Sequence, residues 1–478
     1  MSNNGGNVIA KDKKKAKEFP HLFVLLLAMI VVAGILTYVV PAGQFERSIN
    51  ETTGREAINP QSFQYVDKTP VGPFELLKSV VEGLIQAANI SVLIFVAYAA
   101  LHLVQKTGAM DASISWMVKK TKQNPNASNV AIVITMVVFA VWASTGTLSF
   151  EEIIAFIPIF CTLSIALGYD PLVALGMSYI PVGIGFASAT VNPFSIGVAQ
   201  EIAELPLFSG LKLRITVLVV MITLTIIYIL AYAKKIKKDP SKSLVADLDF
   251  TAFKLDENEM DTPFTKERKA TLIVLFIGIA IMIVGLIKLH WYINEISAVF
   301  LGIAIFTGLV NKWRPNKVAN IFVEGLSGAA LPALTVGLAR GILVVISKGN
   351  ILDTIIYGAA TVLNQMSLYA SGVGMLIFQT LLNFFIPSGS GQAATAMPIM
   401  VPLADLIGMN RQVAVLAFQF GDGFSNLIWP TSFVLIACSM AKVPVNKYYK
   451  WFLPLFFISF IIQVLFIILA IKIGYGPF

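Results

Sequence analysis

Two short strings of Ser, Thr and Gly interrupt apolar stretches of this chain: "STGT" (Ser144, Thr145, Gly146, Thr147) and "PSGSG" (Pro387, Ser388, Gly389, Ser390, Gly391). Hydroxyls and freed backbone groups at such turns suit the binding of a polar solute or a hard cation. Pro387 ends a helical arm because its ring excludes the next hydrogen bond, and Gly389 and Gly391 permit a tight reversal. Two further strings, "GIGFASATVNP" at 183–193 and "GDGFSNLIWPT" at 421–431, read as breaks inside longer apolar segments. They supply Gly183, Gly185, Ser188 and Asn192, then Gly421, Gly423, Ser425, Asn426 and Thr431. Such an oxygen-rich set suits Na⁺ near Asn192 and Asn426. The same Gly and Ser residues also suit close contact between membrane helices.

Charges inside these apolar segments are few. Asp422 falls within the second break, and a charge at membrane depth is costly and functional by default. It is therefore expected to partner a cation, a proton or an amine. Glu151 and Glu152 follow the first tip closely enough for Glu152 to reach a cavity there. Arg340, in "LTVGLARGILVV", either grips a substrate carboxylate bidentately or pairs with an acidic residue. Glu82 and Glu324 fall near helix ends and suit structural roles.

The elements that must position these residues are membrane helices. The chain of 478 residues is 56% hydrophobic and 13% charged, with mean hydropathy +0.78, whereas soluble domains carry about 25% charged residues. Spans of about 20 apolar residues, the length needed to cross a bilayer, recur from 21–40 onward. The net charge of +8 resides mainly in short loops, where it sets orientation and does not indicate nucleic acid. Cys161 and Cys438 suit small core positions, and His21, His102 and His290 are too scattered for a metal cluster. No HExxH, nucleophile–His pairing or phosphate loop is present, so no catalytic residue is assigned and an enzyme is not expected. A channel would need an open polar pathway, whereas paired hairpins suggest gating.

The basic loops give a topology. The tail 1–19 is cytoplasmic, the first repeat runs over 20–233, and a cytoplasmic linker follows at 234–268. A linking span at 269–288 precedes the second repeat at 293–472, which leaves the C-terminus external. Helices are expected at about 79–105 and 318–347, and hairpins at 128–167 and 371–407. Interrupted spans are expected at 171–203 and 411–442. "VEGLIQAA" from Val81 returns as "VEGLSGAA" from Val323, and "GIGF" at 183 as "GDGF" at 421. The offsets are nearly equal, and the charge pattern places the copies in opposite orientations. Inverted repeats with broken helices at the bilayer middle mark secondary transporters. The expected fold is thus an all-α polytopic membrane protein with an inverted repeat, two re-entrant hairpins and two interrupted helices.

The stretch "FFIPSGSGQAATAMPIMVPLADLIGMNRQVAVLAFQFGDGFSNLIWPTS", with "ILTYVVPAGQFER" and "VGPFELLKSVVEGL", resembles the YfcC-like branch of the C4-dicarboxylate anaerobic carrier family, in the ion transporter superfamily. The resemblance implies a homodimer with a fixed scaffold and a mobile transport domain, and elevator-type alternating access. It implies tips at 144–147 and 388–391 and break residues around Asn192 and Asp422. The expected function is secondary transport of a small carboxylate-bearing metabolite, an amino acid such as a basic one, across the cell inner membrane. Exchange or coupling to Na⁺ or H⁺ would drive it, with no other cofactor. A C4-dicarboxylate or short-chain organic acid is the alternative. The expected partners are this solute and the lipid bilayer.

Overall fold

The computed structural model describes residues 22–49, 56–59, 61–123, 127–254, 263–289, 291 and 293–476. The tail 1–19, His21 and His290 lie outside them. The chain begins with α1 (Leu22–Val39), then two small antiparallel ribbons in which β1 (Gly43–Gln44) pairs with β4 (Gln64–Tyr65) and β2 (Arg47–Ile49) with β3 (Glu56–Ile58). Next come α2 (Pro73–Gln86), α3 (Ala88–Lys106) and α4 (Ala109–Gln123). A helical pair follows, α5 (Ala127–Ser144) and α6 (Phe150–Ala166). The first interrupted segment is α7 (Pro171–Met177), α8 (Tyr179–Ala187), a π-turn (Pro193–Gly197) and α9 (Val198–Ile202), before the long α10 (Leu211–Lys238).

After the linker, α11 (Lys266–Lys288) and α12 (Ile293–Val310) precede the same order of elements. These are α13 (Pro315–Gly328), α14 (Ala330–Lys348), α15 (Leu352–Asn364), the pair α16 (Leu368–Leu382) and α17 (Gly389–Leu406), the interrupted α18 (Arg411–Ser425) and α19 (Val434–Met440), and α20 (Val445–Lys472). By length and composition α3, α5, α10, α12 and α20 can cross a membrane, and α13 with the Ala333–Lys348 part of α14 forms a pair bent by 43°. This is an all-α polytopic membrane protein.

Burial follows what a bilayer demands. α10 and α20 expose Val219, Ile227, Phe457, Ile461 and Leu465, as lipid-facing helices do, while α7 is wholly buried and α18 is buried from Gln412 to Ser425. Irregular backbone at membrane depth must be surrounded by protein or line a cavity, and the interrupted helices meet that requirement.

The structure corrects three expectations. The helices at 79–105 and 318–347 are not continuous: each is interrupted, at Ala87 and at Ala329. At both places a glycine presses its backbone against another helix, since a Cβ on Gly83 would come within 2.5 Å of Gly341 N and one on Gly325 within 2.6 Å of Ala99 Cα. Second, the breaks begin later than their glycines. Gly183 and Gly185 lie within α8, and Gly421, Asp422, Gly423 and Ser425 lie within α18. These glycines let helices touch: a Cβ on Gly183 would meet Leu427, and one on Gly423 would meet the backbone of Phe186 and Ala187. Third, Gly389, Ser390 and Gly391 form the first turn of α17, with Ser388 as its N-cap, so the reversal itself is made by residues 383–388. Only the first tip uses a left-handed glycine, Gly146 at φ +78°.

Contacts between α2–α3 and α13–α14 recur with the roles exchanged. Glu82 pairs with Lys348 at 2.7 Å and Glu324 with Lys106 at 2.9 Å, and 324 − 82 and 348 − 106 are both 242. The Gly83–Gly341 and Gly325–Ala99 approaches are related by the same offset. Ser91 Oγ donates to Ala333 O at 2.8 Å, a contact between a residue and its own counterpart, since 333 − 91 is again 242.

Candidate functional site

The first tip is built by hydroxyls that satisfy the end of α5. Thr145 and Thr147 both donate to Trp142 O, at 2.8 and 3.0 Å, and Ser144 donates to Val141 O at 2.8 Å. Beyond the turn, Ser149 and Glu152 form a capping box that starts α6: Glu152 Oε2 accepts from Ser149 N at 2.7 Å and also from Ser149 Oγ. Two otherwise orphaned groups are thereby satisfied reciprocally. The first break is attached to this tip. Thr190 N donates to Ser144 O at 2.7 Å, and Asn192 Nδ2 donates to Ala143 O at 3.4 Å.

The second tip faces the first. Gly146, Ser149, Glu151, Glu152 and Asn192 line one cavity of about 140 Å³ with Pro387, Ser388, Gly389, Ser390 and Asn426. An adjoining cavity of about 220 Å³ shares Ile90, Ile293, Pro387, Ser388 and Phe433 with it and adds Gln86, Asn89, Arg340, Thr431 and Ser432. Arg340 Nε donates to the carboxamide of Gln86 at 3.2 Å, and no described carboxylate pairs with it. The two cavities therefore differ in their ionisable groups: a carboxyl pair at the α6 start in one and a guanidinium on α14 in the other. Both N-terminal turns, of α6 and of α17, open on the first cavity and present backbone N–H groups there.

Behind the second tip lies a polar cluster. Asp422 is fully buried, and its Oδ1 accepts from Asn383 Nδ2 at 2.9 Å. Asn383 Nδ2 also lies 3.2 Å from Gln392 Oε1, and Gln392 Nε2 donates to Gln379 Oε1 at 2.7 Å. Asp422 Oδ2 has no hydrogen-bond partner among the described residues, and neither have Asn383 Oδ1, Ser195 Oγ, Ser188 Oγ, Gln419 Oε1 and Thr431 Oγ1. A Cβ on Gly389 would stand 3.0 Å from Asp422 Oδ2 and 3.2 Å from Ser195 Cβ. Glycine thus lets the tip close directly over the carboxylate. Orphaned buried oxygens are rare in native proteins, and each calls for a partner such as water, an ion or a ligand. By contrast, Asn192 and Asn426 use their amides internally: Asn192 Oδ1 accepts from Phe194 N at 2.9 Å, and Asn426 accepts from Ser432 at 2.5 Å and donates to Asp422 O at 2.8 Å. Ser425 likewise donates to Gly421 O.

Residues 19–472 match the family described as DcuC, C4-dicarboxylate anaerobic carrier. The chain belongs to that family. This carrier is 32% identical over 496 residues to the Escherichia coli K12 protein named "Putative basic amino acid antiporter YfcC", covering 95% of this chain and 97% of that protein. It is 31% identical over 490 residues to an uncharacterized protein of Haemophilus influenzae, covering 93% and 96%. Two solved transporters align with low similarity. The Alcanivorax borkumensis YdaH transporter has a TM-score of 0.44 at 15% identity, covering 96% of this chain and all of that one, and Neisseria gonorrhoeae MtrF has 0.43 at 16%, covering 96% of each. The carrier is a multi-pass secondary transporter of a small polar or charged solute, and its family is one of transporters, not enzymes.

Sequence reasoning passed over several residues that the carrier's structure brings to the site. Asn383 donates to Asp422 and links it to Gln392 and Gln379, and Gln419 donates to Phe186 O; the signal was present, since amides inside apolar runs such as "FQTLLNFF" must find a partner. Ser195 is hidden in an apolar string. Arg214, near the start of α10, is fully buried. It donates to Ala189 O at 2.8 Å and Thr190 O at 3.0 Å in the first break, and to Phe208 O and Ser209 O in the following turn.

Proposed function

We propose that this carrier is an elevator-type secondary transporter of an amino acid, of the basic class that its Escherichia coli relative's name suggests. The observation that carries the reading is the charge arrangement of the two adjoining cavities. Arg340, with no carboxylate partner, suits a substrate α-carboxylate, and Glu151 and Glu152 suit an ammonium or guanidinium, with Gly146, Ser388 and Ser390 between them. The orphaned oxygens of Asp422, Ser195 and Asn383 suit a coupling Na⁺ or proton beneath the second tip, with Ser188 and Thr431 adding hydroxyls. The reciprocal contacts at an offset of 242 support an inverted repeat spanning 20–233 and 293–472. In this reading α2, α3, α13 and α14 belong to the scaffold, and the two helical pairs with the interrupted helices form the moving unit. Basic residues from separate loops meet at one face, where Lys106, Lys254 and Arg268 line one pocket and Lys447 pairs with Asp247. This supports a cytoplasmic location for that face and for the N-terminus, in the inner membrane. The homodimer rests on family resemblance.

A C4-dicarboxylate is the second reading. The two helix N-terminal turns at the cavity favour it, as does the family's description. Thermal melting of the purified protein separates the two, because a ligand that binds the folded state raises the midpoint by mass action. Arginine, ornithine and lysine are expected to stabilise it, more so if Na⁺ is the coupling ion, while succinate and fumarate are not. Stabilisation by dicarboxylates alone would replace the amino-acid reading with the second one.

A further inference from the structure

The face that carries the basic loops contains a cavity of about 500 Å³, separate from the site between the tips. One wall is the α3–α4 corner with Lys106, Thr107 and Gly108, together with Arg268 on the first turn of α11. The other wall is Thr162 on α6 and the linker turn at Ala252, Phe253 and Lys254. Among the described residues, three permanent cations, Lys106, Lys254 and Arg268, line it with one carboxylate, Asp111, and His102 adds an imidazole.

The guanidinium is held in place by the chain. Arg268 Nε donates to Thr107 O at 3.3 Å and Nη1 to Pro263 O at 2.8 Å, so these two anchors are neutral carbonyls. Gly108 has φ +73°, and a Cβ there would stand 2.9 Å from Arg268 Nη2. The left-handed glycine thus lets the guanidinium lie across the corner. Lys106 is shared with Glu324, whereas Lys254 makes no ion pair with a described residue. The linker wall is also built: Phe253 is buried in the main core beneath the ammonium of Lys442, and Ser243 and Tyr232 both donate to Asp170 Oδ2, at 2.6 and 2.7 Å.

We propose that this cavity binds a phosphate group and so ties the linker and α6 to the α3–α4 corner. A fixed guanidinium and two ammonium groups around a polar, half-open space match the charge and oxygen geometry of a phosphate mono- or diester. The shared chemistry admits two sources, a free phosphate or the headgroup of an anionic phospholipid at a membrane surface that attracts basic residues.

The test is thermal melting of the full-length protein in a neutral detergent. It compares inorganic phosphate with sodium chloride at matched ionic strength, and in parallel nanodiscs of phosphatidylcholine with and without phosphatidylglycerol. Phosphate raising the midpoint in detergent assigns a free phosphate; phosphatidylglycerol alone doing so assigns the lipid. In either case Lys254→Gln, which breaks no ion pair with a described residue, is expected to weaken the apparent affinity about tenfold, the equivalent of one lost charged contact. Arg268→Gln should abolish the shift, and its melting point without phosphate reports any separate loss of folding. No shift from either source, or an undiminished shift in Lys254→Gln, would overturn the proposal.

Discussion

The two interrupted helices face the same physical problem and solve it with different chemistry. Where α8 ends, the freed carbonyls of Ala189 and Thr190 accept from one buried guanidinium, Arg214. Where α18 ends, the carbonyls of Asn426, Leu427 and Ile428 accept from three phenols: Tyr179 at 2.9 Å, Tyr448 at 2.9 Å and Tyr449 at 2.6 Å. The first break therefore holds a fixed positive charge whose donors are occupied by backbone. The second is closed by neutral donors, and its helix carries the buried carboxylate of Asp422 instead. Backbone satisfaction at membrane depth sets the number of donors needed, not their charge. That freedom lets one break serve as a locked structural corner while the other keeps an unpartnered oxygen.

Arg214→Leu removes the donors to Ala189 O and Thr190 O in the first break and to Phe208 O beyond it, and the expected cost is about 3–5 kcal/mol, as when a buried charged network is opened. Size-exclusion chromatography and thermal melting should show a poorly folded protein; melting like wild type would mean that the guanidinium holds nothing. Asp422→Asn tests the other break. It keeps the shape and the bond to Asn383 while removing the charge, so the protein is expected to stay folded. Uptake into proteoliposomes should fall roughly tenfold or more, the scale of one charged hydrogen bond, with loss of ion dependence. Wild-type uptake with unchanged ion dependence would remove Asp422 from the mechanism.

Smaller effects sharpen the picture. Tyr449→Phe removes one of three separate phenol caps and should cost about 1 kcal/mol. Distributed neutral caps thus predict graded losses on melting, in contrast to the single large loss at Arg214. The smallest effect is expected where the linker reaches the start of α20, the helix that supplies Tyr448 and Tyr449. Lys447 beside Asp247 holds that exposed carboxylate below its ordinary range. A carboxylate with a depressed folded pKa adds stability above its unfolded value of about 3.9, and loses it as pH falls through the folded value. Asp247→Asn should lower the midpoint slightly near neutrality, flatten this slight acid-side slope in a pH series of melting curves, and change nothing below the folded value.

Much of this was legible in the residues alone. Apolar length marked the spans, and the repeated "VEGL" and "GxGF" strings marked elements that recur in the same order. Ser144 to Thr147 and Ser388 to Gly391 were recognisable as places where apolar helix gives way to hydroxyl-rich backbone. These features are local: they depend on hydrophobic length, on proline and glycine, and on charge left inside a greasy run. Asp422 stood out for the same reason.

What the sequence could not decide is which partner each polar group meets. The glycines of "GIGF" and "GDGF" look like unwinding signals, yet they are contact points between α8, α18 and neighbouring helices, because a missing Cβ can serve either bending or close approach. Arg214 looks like a residue near a helix end until the first break folds over it. Arg340 and the Glu151–Glu152 pair belong to opposite halves of the chain, and only packing sets them around adjoining cavities. In a bilayer, composition determines that polar groups must be satisfied; three-dimensional proximity alone determines by what.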